Sequence, residues 1–240
     1  MSWSSLDVAN PRHPEASRPR WDERTWPSCS ECVAESNGPV LDICWTTDLL
    51  TPDVARRIAE LTTVTTLVIR PPDRLSSDWE RTCDAIAKTP SLDRLVIQTI
   101  NGAMQTSALL LESCQRVRHV KIRRGWFTED GSSELFAAIA NRPQLRSLVL
   151  PGMPEDSCLI EALSTVSRHA QFLRSLELSI SGSGRDSIAG LLHLPALESL
   201  VLCDVPCENL HVLSRILEGR PALRTLSVSV EQDCSLSDNR

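Results

Sequence analysis

The stretch RPQLRSLVL at residues 142–150 decides the fold, because RPALRTLSV at 220–228 says nearly the same thing again. Written as apolar-x-x-apolar-x-apolar, the shared pattern recurs along the chain. It matches at Val40-Ile43-Trp45, Val64-Leu67-Ile69, Leu92-Leu95-Ile97 and Val117-Val120-Ile122. It continues at Leu145-Leu148-Leu150, Leu173-Leu176-Leu178, Leu197-Leu200-Leu202 and Leu223-Leu226-Val228. The steps between first positions are 24, 28, 25, 28, 28, 24 and 26 residues. Eight matches at a period in the range of roughly 20–50 residues mark a solenoid, in which each unit contacts only its neighbours.

Proline stands two residues before the first apolar position in four copies, as Pro90, Pro143, Pro195 and Pro221. Proline cannot continue a helix and biases the preceding residue to extended geometry. Each therefore marks a helix end and a strand start. The intervals read as helices. TPDVARRIAEL (51–61) offers Thr51 as N-cap, Pro52 at the first helical position and Val54, Ile58 and Leu61 on one face. ENLHVLSRILEG (208–219), PEDSCLIEALSTVSRHA (154–170) and SSELFAAIANR (132–142) read the same way. No unit can bury its strand leucines and helix stripe alone. Stacked units bury both, between a parallel sheet on the concave side and helices on the convex side. The predicted architecture is a right-handed α/β solenoid of about eight irregular repeats over 39–230, with a flexible N-terminal tail (1–38) and a C-terminal tail (231–240).

On these repeats the chain resembles leucine-rich-repeat proteins of the ribonuclease-inhibitor-like type. The x-P-x-L-x-x-L-x-L rhythm, over roughly 38–230, is most similar to the arrays of fungal F-box/LRR proteins. The resemblance implies a non-enzymatic adaptor whose concave face recognises a protein, in the manner of a ubiquitin-ligase substrate-recognition module, with ligase components as further partners. Residues 1–38 show no Leu-Pro-x-Glu opening of an F-box. Where such repeats often carry Asn or Cys in the loop, this chain has Pro72, Ile100, Gly125, Met153, Ser181, Val205 and Glu231, so irregular loops are expected.

Composition narrows the class. The net charge of −6 argues against a nucleic-acid binder, which usually shows a basic excess, so a nucleic-acid-binding leucine-rich-repeat protein stays only as a further alternative. No apolar run approaches the roughly 18–20 residues of a membrane span, and no secretory signal is visible at the N-terminus. Nine cysteines, odd in number and scattered through apolar surroundings, suggest reduced thiols in an intracellular protein, cytoplasmic or nuclear.

Strand alternation turns the motif leucines into the core and leaves the residues around them on the concave face. Small hydroxyls and exposed valines are expected there, with a basic island in their midst. Its residues are Arg118, His119, Lys121, Arg123, Arg124, Arg146 and Arg174, with Arg94 in the neighbouring copy. Trp126 follows in a loop, as a candidate anchor. Arginines beside an aromatic suit an acidic partner segment. The same residues equally suit a solvated strand face.

Other chemistry has thinner support. Cys29-Ser-Glu-Cys32 is a lone CxxC that lacks two further zinc ligands and the strand-helix setting of a redox pair; it carries the alternative of a redox or metal protein. Cys203-Asp-Val-Pro-Cys207 reads as a turn with buried or half-buried thiols. No catalytic set, cofactor or small-molecule substrate is indicated, and SGSGRDS (181–187) lacks the P-loop lysine. No capping helix follows the last strand before 231–240, which predicts an open end.

Overall fold

The computed structural model describes residues 40–43, 52–98, 103–123, 129–150, 166, 171–179, 194–205 and 222–230. Eight strands form one all-parallel sheet in chain order. They are β1 (Val40–Ile43), β2 (Thr66–Ile69), β3 (Arg94–Gln98), β4 (His119–Arg123), β5 (Ser147–Leu150), β6 (Ser175–Ser179), β7 (Ser199–Val205) and β8 (Thr225–Val230). Helices α1 (Pro52–Ala59), α2 (Ser77–Ala87), α3 (Met104–Ser113) and α4 (Glu129–Ala140) alternate with the first five strands. Parallel neighbours with no strand out of sequence, and helices between the first five, give a solenoid-like arrangement.

The register follows the predicted repeat in seven copies. Leu67, Leu95, Val120, Leu148, Leu176, Leu200 and Leu226 stand side by side across the sheet. All but Leu226 are essentially without exposure. The first copy departs by two residues. Val40 pairs with Thr66, so Leu41, rather than Ile43, stands in register with Leu67, and Ile43, rather than Trp45, with Ile69. The reason is that Val40 and Leu41 offer apolar side chains to both faces. Leu41 packs on the main core, while Val40 joins a separate cluster with Val68 and Val96 on the opposite, helix-free face.

The main core lies between sheet and helices. In α2 the residues Trp79, Thr82, Cys83 and Ile86 are buried, a stripe at the i, i+3, i+4, i+7 spacing of an amphipathic helix. Ser76 caps the helix by accepting a 3.1 Å bond from the Trp79 amide, and Asp78 and Glu80 complement the dipole of the first turn. The Trp79 indole donates to the Thr106 carbonyl at 3.0 Å, tying α2 to the next unit. Helix α3 is sandwiched between α2 and α4 and is apolar on more than one side. Its Thr106 and Ser107 hydroxyls are satisfied by the Pro72 and Ala103 carbonyls.

Helix bounds differ modestly from expectation. α1 ends at Ala59, two residues short of Leu61, where the Leu61 amide turns back to the Ile58 carbonyl at 2.9 Å. α4 begins at Glu129, ahead of Ser132, and stops before Asn141 and Arg142. Of the predicted 154–170 helix only Val166 is described; it is helical and buried. Thr51, the 208–219 helix, the 1–38 and 231–240 tails and the 181–187 loop lie outside the described residues.

Arg142, the arginine of the repeated Arg-Pro, is wholly buried. It occupies the place taken by Thr89, Cys114 and Leu194 in other units, each three residues before the first apolar position and each buried. Its guanidinium donates to the carbonyls of Leu111 and Cys114, at the end of α3, and to that of Val117 at 3.2 Å. These are acceptors of a helix terminus and its exit turn, of which the Cys114 carbonyl also accepts from the Val117 amide at 3.3 Å. Arg-Pro therefore does more than stop a helix: the arginine reaches back and closes the helix end of the preceding unit.

Candidate functional site

The helix-free face presents the residues between the inward leucines. Arg94 stands beside His119, Lys121 beside Val96 and Val149, and Arg123 beside Gln98. Arg94, His119, Lys121 and Arg123 are half-buried. Arg94, Lys121 and Arg123 are each already engaged with another group. Trp126 and Arg124 lie outside the described residues.

The arginines of the strand shoulder form a continuous rail. The Arg118 amide donates to the Asp93 carbonyl at 2.9 Å, Arg146 to Arg118 at 2.8 Å, and Arg174 to Arg146 at 2.9 Å. Glu198 and then Arg224 continue the series, each at 2.8 Å. Neighbouring rungs are about 4.8 Å apart, so Arg118, Arg146 and Arg174 are adjacent cations. The outer two lean on carboxylates: Arg118 on Asp93 at 3.7 Å and Arg174 on Glu198 at 3.3 Å. Arg146, between them, is exposed and makes no ion pair among the described residues.

His119 also approaches Asp93, at 3.5 Å. Its pKa is nevertheless lowered, first by burial and further by Arg94, Arg146 and Arg118, with Asp93 opposing. Desolvation and three cations outweigh one half-exposed carboxylate, so the imidazole is neutral at pH 7 and the contact with Asp93 is not a charged pair.

The face is not uniformly accessible. Exposed valines were expected along it, and Val149 and Val201 are half-exposed, but Val68 and Val96 are buried at 0% and 1%. Thr66 is likewise buried at 2%, while Ser147, Ser175 and Ser199 in its file are not. Among the described residues, the burial on this face is confined to Thr66 and Val68 of β2 and Val96 of β3, whereas Val40, Arg94 and Gln98 are half-exposed.

Two features escaped the sequence reading. One is Asp204, held at φ 55 beside a register shift between Leu202 and Val205. Its carboxylate accepts from the Ser179 hydroxyl at 2.7 Å, and its amide donates to the Ser229 hydroxyl at 3.2 Å. One residue thus clasps β6, β7 and β8; aspartate tolerates this left-handed backbone better than most residues. The other is the pairing pattern of the arginine rail, which depends on which carboxylates the stacking brings alongside.

Cys83 and Cys114 are buried, and burial pushes both thiols up, Cys114 to about 12. Cys203 is half-buried as expected, but Cys203, Asp204 and Val205 continue strand β7 rather than forming the expected turn; Cys207, Cys29 and Cys32 lie outside the described residues. Among the described residues no three His, Cys, Asp or Glu side chains cluster as metal ligands, and no helix is long and apolar enough to cross a membrane. Neither a protein-family model nor a curated protein matches this chain.

Proposed function

We infer that this chain is a leucine-rich-repeat adaptor that receives an acidic segment of a partner protein on its concave face, centred on Arg146. One observation carries the reading: three arginines occupy successive rungs, and the middle one lacks the carboxylate that each outer one has. A guanidinium offers a rigid fork of donors to a carboxylate or phosphate, and its neighbours raise the local positive potential. The half-exposed Ser147, Ser175 and Val149 beside the rail give a mild, adaptable surface for a peptide. The role is recognition rather than chemistry. In the version suggested by the F-box/LRR-like rhythm, the bound partner is a substrate presented to ubiquitin-ligase components.

The test is affinity capture from cell extract on the immobilised full chain, beside its Arg146→Glu and Arg224→Glu variants, with matched circular dichroism. Partners held by the parent and by Arg224→Glu, but lost from Arg146→Glu, are expected. Identical captured sets on all three would overturn the assignment of the site. Ligase components among the Arg146-dependent proteins would support the substrate-recognition version.

A further inference from the structure

Glu177 stands on the helix-free face without a charge partner. Its rung neighbours are Val149 on β5 and Val201 on β7. Along its own strand, the neighbours on the same face are Ser175 and Ser179. The diagonal positions on the neighbouring strands include Ser147, Ser199 and Cys203. None of these is a cation, and among the described residues Glu177 makes no ion pair or hydrogen bond. It is nevertheless half-buried. A carboxylate that gives up part of its water between two valines gains nothing from the protein in return. Cations further off are committed: Lys121, two rungs away, is engaged with another group, and Arg174, three residues back, leans on Glu198.

We propose that Glu177 receives a lysine or arginine side chain from the same partner segment whose acidic residue sits on Arg146. This rests on the Arg146 reading, and it makes the partner's contact segment mixed in charge rather than simply acidic. Shape supports it as well as charge. Val149 and Val201, half-exposed on either side of the carboxylate, offer apolar surface to the methylene stem of a long basic side chain while its charged head reaches Glu177. A short cation would leave the valines uncovered. The spacing follows from the sheet. Ser147 is in register with Ser175, so Arg146 is level with Arg174. Glu177 lies three residues further on and one rung across, which is about 10 Å by about 4.8 Å, or about 11 Å in all. An extended peptide covers that distance in about three or four residues. The half-exposed Ser147 and Ser175 lie between the two charges, beneath the backbone that would join them.

Selectivity is the consequence. An all-acidic segment sets a like charge against Glu177, whereas a segment with a basic residue about three or four positions from its acidic one satisfies both ends of the site.

The test uses synthetic Gly/Ser peptides that carry one aspartate and one lysine at graded separations, in both orders. Beside them stand peptides with two aspartates, and peptides in which the short-stemmed diaminopropionate replaces lysine. Immobilised, they are probed with the labelled full chain and with its Glu177→Lys and Arg146→Glu variants, matched by circular dichroism. The parent is expected to hold the aspartate–lysine peptides of about three- or four-residue spacing at least about fivefold better than the two-aspartate peptides, as one well-placed ion pair allows. Diaminopropionate is expected to forfeit most of that gain, and Glu177→Lys to reverse the preference towards two aspartates. Two-aspartate peptides held by the parent as well as the mixed ones would overturn the Glu177 site while leaving the Arg146 reading in place. So would a Glu177→Lys variant that keeps the parent's ranking. Mixed peptides that bind the parent and Arg146→Glu alike would overturn the link between the two charges. Retention of no peptide by the parent would overturn both readings together.

Discussion

Replacing Arg142 by leucine tests whether a buried cation earns its place in an apolar core. Leucine is the natural comparison, because Leu194 fills the corresponding position in a later unit and is buried at 1%. Two effects oppose each other. Burial lowers the Arg142 pKa from 12.5 to about 10, so holding the charge there costs about 3 kcal/mol, a cost the leucine variant escapes. Against that stand three hydrogen bonds from a cationic donor, each contributing about 1.5–3 kcal/mol. The Cys114 carbonyl keeps a second partner in the Val117 amide at 3.3 Å, which softens its loss. The carbonyls of Leu111 and Val117 lose their bond from the guanidinium in a buried setting. The balance is a destabilisation of about 2–4 kcal/mol in Arg142→Leu, with Arg142→Lys intermediate because one ammonium cannot span all three acceptors. Urea unfolding followed by far-ultraviolet circular dichroism measures it. A leucine variant as stable as the parent would refute the view that this arginine is the closing bond of the preceding helix.

Three further outcomes are expected. Leu148→Ala, in the middle of the sheet, should cost about 2–5 kcal/mol, while Leu226→Ala at the partly exposed last strand costs clearly less; equal losses in urea unfolding would contradict the burial gradient. His119 has a lowered pKa, so below pH 6.5 the unfolded chain takes up its proton first and stability falls as pH drops, levelling once the folded protein is protonated too. His119→Gln should flatten that part of the stability-against-pH curve, and an unchanged slope would show that other groups set it. Cys83 and Cys114 should resist thiol reagents in the native protein while Cys203 reacts, read by mass spectrometry of alkylated peptides.

The strand register was legible because burying one face of each strand makes the leucine positions non-negotiable from Val64 to Val228. It failed at Val40, where Val40 and Leu41 put apolar side chains on both sides of a short strand, so alternation alone does not choose the register. The arginines of the shoulder were visible as a charged run. Their pairing was not, because Asp93 and Glu198 are matched to Arg118 and Arg174 only by stacking across units. Arg142 was read as punctuation. The signal for more was present: Thr89, Cys114 and Leu194 show that the position is interior, and a cation there must find acceptors.

The sequential order of the strands has a consequence for how such a chain can change. Every sheet partnership joins segments one period apart, so no bond depends on the total number of units. Removing one whole period from the interior, or duplicating one, would restore an equivalent junction and leave both flanks paired as before. An insertion of one or two residues within a strand has no such escape, since it turns every following side chain of that strand to the wrong face. The molecule is therefore tolerant to gain and loss in steps of about 24–28 residues and brittle to anything smaller inside its strands.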